Sequence, residues 1–254
     1  MANTVFVTGA GSGLGRAIAL RFAAEGMFVA VTDIDVANGN AVVDEISTAG
    51  GSAGFWDCDV ADRASVGSAA AEVRAATGGI DVLVNNAGFD EPAFFLESDP
   101  ASWDRLISVD LLGVLNCCYV IAPAIAERCR ATGYGRIINI ASDAGRVGSM
   151  GEAVYSAAKG GVIAFSKSVA RELARDKVTV NAVCPGPADT PMTTLINEQP
   201  VGRKMMAGMI QATPLKRLVS PEEVAAACAY FASDDARFTT GQVLSVSGGL
   251  TMVG

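Results

Sequence analysis

The chain contains no histidine, and no other fact of its composition restricts its chemistry as much. Histidine is the usual general base near neutral pH and the commonest metal ligand, so Ser-His-Asp and Cys-His mechanisms are excluded. The six cysteines (Cys58, Cys117, Cys118, Cys129, Cys184 and Cys228) include no C-x-x-C pair, which removes the usual zinc spacing as well. No metal site is expected, and the cysteines read as buried apolar residues in a reducing cytoplasm. Charge is also scarce. Only 18% of residues are charged and 50% are hydrophobic, a balance that excludes an intrinsically disordered chain. With 19 Lys and Arg against 27 Asp and Glu, a net charge of −8, a broad phosphate-binding surface cannot be built. No nucleic-acid partner is expected, and any phosphate has to be held by backbone amides. Long apolar runs are missing too: Leu111–Ala126, about sixteen uncharged residues, falls short of the roughly 20 that span a bilayer. It is expected to be a buried helix, and the start Met-Ala-Asn lacks the basic and apolar regions of a signal peptide. No membrane association is expected.

What is present is an alternation. Short β-branched runs at Thr4–Thr8, Phe28–Thr32, Gly54–Cys58, Val82–Val84, Arg136–Ile140, Val178–Val183 and Gln242–Val246 alternate with segments of helical spacing at Gly13–Glu25, Val36–Ala49, Ala64–Ala76, Ser102–Cys129, Tyr155–Ala174 and Glu222–Ala232. Seven parallel strands with helices on both faces follow, because right-handed crossovers place the helices there. The 254 residues are expected to form one α/β domain over 1–254, a doubly wound sheet. Proline-rich Pro185–Arg217 is expected to be one long irregular stretch, and loops of that length are usually functional.

After the first strand comes Thr8-Gly9-Ala10-Gly11-Ser12-Gly13-Leu14-Gly15-Arg16. Glycines permit a tight turn and close backbone approach, and the following helix N-terminus offers N–H groups to a pyrophosphate. Gly9, Ser12, Gly13 and Leu14 are therefore candidate cofactor contacts. The second strand ends at Asp33, near the offset at which an acidic side chain accepts hydrogen bonds from the adenosine ribose; a helix N-cap is the alternative reading of the same residue. The ribose reading favours NAD, since a 2′-phosphate would meet a carboxylate and Arg16 is the only base in the glycine segment. Asp59-Val60 and Asn85-Asn86-Ala87-Gly88 follow later strands, at the sheet edge where ligands of open α/β sheets collect. A third group is chemical. Ser142 follows the fifth strand, and Tyr155 and Lys159 share a helix face at i, i+4. A nearby ammonium favours the phenolate, so with histidine absent this pair is the available proton-transfer device. Ser142 can donate to a substrate oxygen on which charge develops.

Taken together, Thr8-Gly9-x-x-x-Gly13-x-Gly15, Asp59, Asn85-Asn86-Ala87-Gly88, Ser142, Tyr155-x-x-x-Lys159, Asn181 and Pro185-Gly186-x-x-x-Thr190 resemble the short-chain dehydrogenase/reductase family over essentially the whole chain. The resemblance implies a Rossmann-like subunit and alcohol–ketone interconversion. In it Tyr155 takes the hydroxyl proton, Lys159 holds the nicotinamide ribose and lowers the Tyr155 pKa, and Thr190 with the backbone near Ala188 positions the carboxamide. A homotetramer acting on a small-molecule substrate is the family expectation. One position departs: the family's Asn-Leu-x-Gly is Asp110-Leu111-Leu112-Gly113 here, and Asp110 either pairs with Lys159 as a working substitute or alters the proton relay. The segments Asn139–Tyr155, Cys184–Thr190 and Gly241–Met252 look similar to the 2-hydroxycyclohexanecarboxyl-CoA dehydrogenases, a branch acting on cyclic alcohols. A lid at about 187–217 is expected to supply Met192, Leu195, Ile196, Met205, Met206, Met209 and Ile210 as apolar cover. There Arg203, Lys204, Lys216 and Arg217 are either solvated or meet an anionic CoA arm. The readings that compete with an NAD-dependent secondary-alcohol dehydrogenase are a 3-oxoacyl thioester reductase, which would normally use NADPH, and a nucleotide-binding sensor with idle chemistry.

Overall fold

A computed structural model describes residues 2–253. Seven strands, β1 (Thr4–Thr8), β2 (Phe28–Asp33), β3 (Ser52–Asp57), β4 (Val82–Asn85), β5 (Arg136–Ile140), β6 (Thr179–Pro185) and β7 (Val243–Val246), form one parallel sheet in the order β3-β2-β1-β4-β5-β6-β7. The chain starts at the centre of the sheet and winds outward in both directions. The loops after β1 and β4 therefore diverge and leave a crevice at the carboxyl edge.

Alternation along β1 sorts the core. Val5 and Val7 pack with Ile18 and Phe22 of α1 (Gly13–Ala24) and with Val42 and Ile46 of α2 (Val36–Thr48) on one face, where Val224 and Phe231 of a later helix join them. Phe6 points to the other face, among Val66 and Val73 of α3 (Arg63–Thr77) and residues of the helical run that follows β4. Phe22 is fully buried, and truncation to alanine at such a site costs roughly 3–5 kcal/mol.

Two expectations are corrected. Ser102–Cys129 is not one uniform helix. The run comprises α4 (Pro100–Ile107), a π-helical turn over Ser108–Leu112, and α5 (Gly113–Thr132). Apolar spacing is nearly the same in both helix types, so the wide turn leaves no mark in the periodicity. It carries Asp110 inward to zero exposure while Leu112 stays half-exposed. The run is long and apolar enough to cross a membrane, but Val114, Cys117, Cys118, Ile121 and Ile125 are buried against the sheet. Nor is Pro185–Arg217 irregular, since it contains two helices that follow α6 (Asp143–Val147) and α7 (Ala153–Leu173), namely α8 (Pro191–Glu198) and α9 (Pro200–Ala212). Pro191 and Pro200 sit in the first turn, where a missing N–H costs nothing and a fixed φ is already helical, so they start these helices. The last helix, α10 (Pro221–Ala232), opens on a capping box between Ser220 and Glu223.

Candidate active site

The nucleotide end is built by β1, β2 and β4. Thr8, at the end of β1, accepts hydrogen bonds from the amides of Asn86 (2.9 Å) and Ala87 (3.0 Å), and the Asn86 side chain donates to the carbonyls of Thr8 and Gly9 at 3.0 Å each. These bonds fix the loops after β1 and β4 to one another. Gly9 has φ +62°, and a Cβ on Gly15 would lie 2.0 Å from the Gly9 carbonyl, so helix α1 meets the turn at a distance only glycine permits. Ser12 is the N-cap of α1 but makes no side-chain cap bond. The first amides of this 12-residue helix are left to an anion, at the positive end of its dipole.

Asp33 closes the next wall. Its Oδ2 accepts the Gly11 amide at 2.8 Å and its Oδ1 the Asp35 amide at 2.9 Å. The N-cap of α2 is Asp35, which accepts from Asn38 N at 3.0 Å, so the helix-cap reading of Asp33 is corrected. Arg16 is bound to Glu45 through Nε at 2.9 Å and through a second nitrogen, which engages the one base of the glycine segment. Further along, Asp59 accepts the Ala61 amide at 2.9 Å, and Asp59, Val60, Asn86, Ala87 and Gly88 face the same cavity.

At the chemical end, Ser142 follows β5 and caps α6, its hydroxyl accepting Ala144 N at 3.1 Å. Tyr155 and Lys159 project from the first two turns of α7. The Lys159 Nζ lies 5.6 Å from the Tyr155 ring centroid, donates to the Ile140 carbonyl at 3.2 Å, and pairs with Asp110 at 3.0 Å. Asp110 also accepts Phe89 N at 3.2 Å. Burial raises the Asp110 carboxyl above the ordinary carboxylate range, against the pull of Lys159. Tyr155 departs from expectation. Burial, then the charges of Asp110, Asp90 and Glu152, push its phenol well above the ordinary value, and only the Ser142 hydrogen bond acts the other way. Asp110 matches the lysine's charge, so the anticipated stabilisation of the phenolate by Lys159 does not prevail.

All of Gly9, Ser12, Gly13, Leu14, Asp33, Asp59, Val60, Asn86, Ala87, Gly88, Asp110, Ser142, Tyr155, Lys159, Pro185, Gly186, Ala188 and Thr190 line one cavity of about 1280 Å³. Met192, Ile196, Met205, Met206 and Met209 of α8 and α9 wall it. Leu195 and Ile210 do not. Of the four basic residues near it, Lys204 alone lines the cavity; Arg217 pairs with Glu223 at 2.6 Å, Arg203 donates to Asn197 O at 3.1 Å, and Lys216 donates to Gln211 O. All six cysteines are free and buried. Among the described residues no group of side chains is placed to hold a metal. Motif reading missed Asp90 and Glu152, which line the cavity beside Tyr155. Glu152 stands three residues before Tyr155 and Asp90 two after Gly88, an acidic residue in each loop that flanks the motif.

Residues 9–251 match the family model described as enoyl-(acyl carrier protein) reductase. The chain is 39% identical to nodulation protein G of Azospirillum brasilense over 96% of each protein. It is 37% identical to 3-oxoacyl-[acyl-carrier-protein] reductase FabG of Thermotoga maritima, over 97% of this chain and 96% of the relative. Short-chain reductase protein NovJ of Streptomyces niveus is 38% identical over 97% of this chain and 93% of its own length. The sheet order, the glycine turn with its uncapped helix, the Ser142–Tyr155–Lys159 cluster and this similarity along nearly the whole length agree: the chain belongs to the short-chain dehydrogenase/reductase family and is an oxidoreductase.

Proposed function

We propose that the protein interconverts a secondary alcohol and a ketone on an apolar substrate with NAD as cofactor. The observation that carries this reading is the single cavity that joins the uncapped amides of α1 to Tyr155, Ser142 and Lys159. The residues fit a dinucleotide: Gly9, Ser12, Gly13 and Leu14 would hold the pyrophosphate, Asp33 the adenosine ribose, and Pro185, Gly186, Ala188 and Thr190 the carboxamide side. Asp33, with Arg16 engaged by Glu45, supports NAD over NADP, since an added phosphate would be repelled. The bound nicotinamide supplies the hydride acceptor or donor. Tyr155 holds the proton that moves to or from the substrate oxygen, and Ser142 hydrogen-bonds that oxygen. Lys159 donates to Ile140 O and is ion-paired with Asp110, and would direct a remaining N–H to the nicotinamide ribose.

The α8–α9 pair serves as the substrate lid in this reading, and its methionines suit an apolar, cyclic substrate. Exposed Tyr119, Phe238, Leu244 and Met252 support burial of apolar surface in a homotetramer, and buried free thiols support a cytoplasmic location. A second reading, reduction of a 3-oxoacyl thioester, is favoured by the names of the relatives and by Lys204 on the cavity wall. One screen separates them: NAD reduction with cyclic alcohols, aryl carbinols and hydroxyacyl-CoA esters, beside Tyr155→Phe. Turnover of an alcohol that Tyr155→Phe lowers about a thousandfold or more, with NADH binding retained, is the expected result. Tighter binding of NADPH than of NADH would sink the reading of Asp33, and turnover confined to thioesters would select the second function.

A further inference from the structure

The chemistry assigned to Tyr155 makes no use of Asp90 and Glu152, two acidic side chains on the wall of the same cavity. Their meeting is imposed by the backbone. Ala93, in the loop after β4, pairs with Glu152 in a parallel bridge just before α7, and the Ala93 amide donates to the Gly151 carbonyl at 2.9 Å. This bridge sets the Asp90 and Glu152 side chains beside one another on the cavity wall, close enough for Glu152 to act on the Asp90 carboxyl. Glu152 is only 9% exposed, and Asp90 Oδ2 is fully buried with no donor. The remaining Asp90 oxygen takes the Glu91 amide at 2.8 Å. Among the described residues neither carboxyl has a cationic partner: Arg105, which also lines the cavity, is stacked on Phe89 at 4.6 Å and paired with Glu91 at 3.6 Å, and Lys159 is paired with Asp110.

Two carboxyl groups in contact cannot both ionise. Burial and Glu152 push Asp90 up to about 9, in keeping with one proton held between the two. With Asp90 Oδ2 closed off behind it, what the pair offers the cavity is the lone pairs of the Glu152 carboxyl. A hydroxyl group can donate to it. A carboxylate or a thioester carbonyl would bring only further lone pairs and be disfavoured. Because both groups act by charge on Tyr155, the donor must sit close to the reacting carbon.

We propose that Asp90 and Glu152 form a specificity subsite that accepts a hydrogen bond from a second hydroxyl of the substrate, on a carbon adjacent to the carbinol or one further on. The preferred substrates are then diols, ahead of simple alcohols and of anionic hydroxy acids. This inference rests on the reading of Tyr155 as the alcohol–ketone centre and narrows the substrate class for it.

The test is NAD reduction with three probes: cyclohexanol, cis-1,2-cyclohexanediol and 2-hydroxycyclohexanecarboxylate. The wild type should show kcat/KM for the diol at least about tenfold above cyclohexanol, with the hydroxy acid lowest. Asp90→Asn and Glu152→Gln should each cut the diol-to-cyclohexanol ratio to within about threefold of unity. Because both rates come from one preparation, the ratio is independent of how much of a variant is folded. A ratio near unity in the wild type, or one that neither variant changes, overturns the subsite while leaving the alcohol–ketone reading intact. Turnover of a 3-hydroxyacyl thioester with none of the three probes has the same meaning. No turnover of any alcohol or thioester overturns both.

Discussion

Replacing Asp110 with asparagine should move the pH dependence of catalysis toward acid. In the folded protein the Lys159 ammonium stands 5.6 Å from the Tyr155 ring but only 3.0 Å from the Asp110 carboxyl. At an effective dielectric of about 20, a unit charge 5.6 Å from the centre of the phenolate ring is worth roughly 3 kcal/mol, or about two pK units. The carboxylate cancels most of that, and after burial it is the largest charge holding the phenol protonated. Asp110→Asn removes the cancellation, while the Ile140 carbonyl still accepts from Nζ. The charges of Asp90 and Glu152 continue to oppose ionisation and the Ser142 hydrogen bond to favour it, so the expected shift is about one to two pH units. A phenol of lower pKa delivers its phenolate sooner, so the rising limb of alcohol oxidation moves to lower pH. For ketone reduction the falling limb moves the same way. Profiles of kcat in both directions, with phenolate absorbance titrated against Tyr155→Phe as background, measure it. A limb that stays within about 0.3 units of the wild type, or moves toward base, would refute the charge-matching argument.

Two further perturbations probe the scaffold. Gly15→Ala places a methyl group 2.0 Å from the Gly9 carbonyl and 2.5 Å from the Asn86 amide nitrogen. It should cost roughly 1–3 kcal/mol, seen as a loss of about 3–10 °C in Tm, together with weakened nucleotide binding by titration; unchanged binding would show that the turn does not hold phosphate. Glu223 is held at about 2, below its ordinary 4.5, by Arg217 and by the Ser220 amide. Its contribution to stability is complete above the unfolded value and disappears as pH falls through that window, so Glu223→Gln should flatten the Tm-against-pH curve there. Parallel curves for the two proteins would count against it.

The alternation of strands and helices made the sheet legible, because parallel strands buried on both faces need continuous β-branched runs such as Val5–Val7 and Val29–Val31. The glycine turn and the Tyr155–Lys159 spacing were legible for a similar reason: each functions through positions fixed along a single element. The π turn at Ser108–Leu112 was not, because it widens a helix without disturbing its apolar rhythm. Helices α8 and α9 were hidden by their prolines, whose sense reverses between the first turn of a helix and its interior. Least visible was the meeting of Asp90 with Glu152, 62 residues apart in sequence, which depends on one backbone bridge between two loops. The Tyr155 environment was misjudged on the same ground, as charges delivered by three separate segments decide it.

That bridge between Ala93 and Glu152 also divides the cavity mechanically. It ties the loop after β4 to the approach to α7 through the Ala93–Gly151 hydrogen bond. Across from it, α8 and α9 belong to neither apolar core, and segments with little core packing open at the lowest free-energy cost. Opening is therefore expected on the α8–α9 side of the cavity. Amide hydrogen exchange should be slow at Glu152–Lys159 and fast across Pro191–Ala212, and equal rates in the two segments would refute this division.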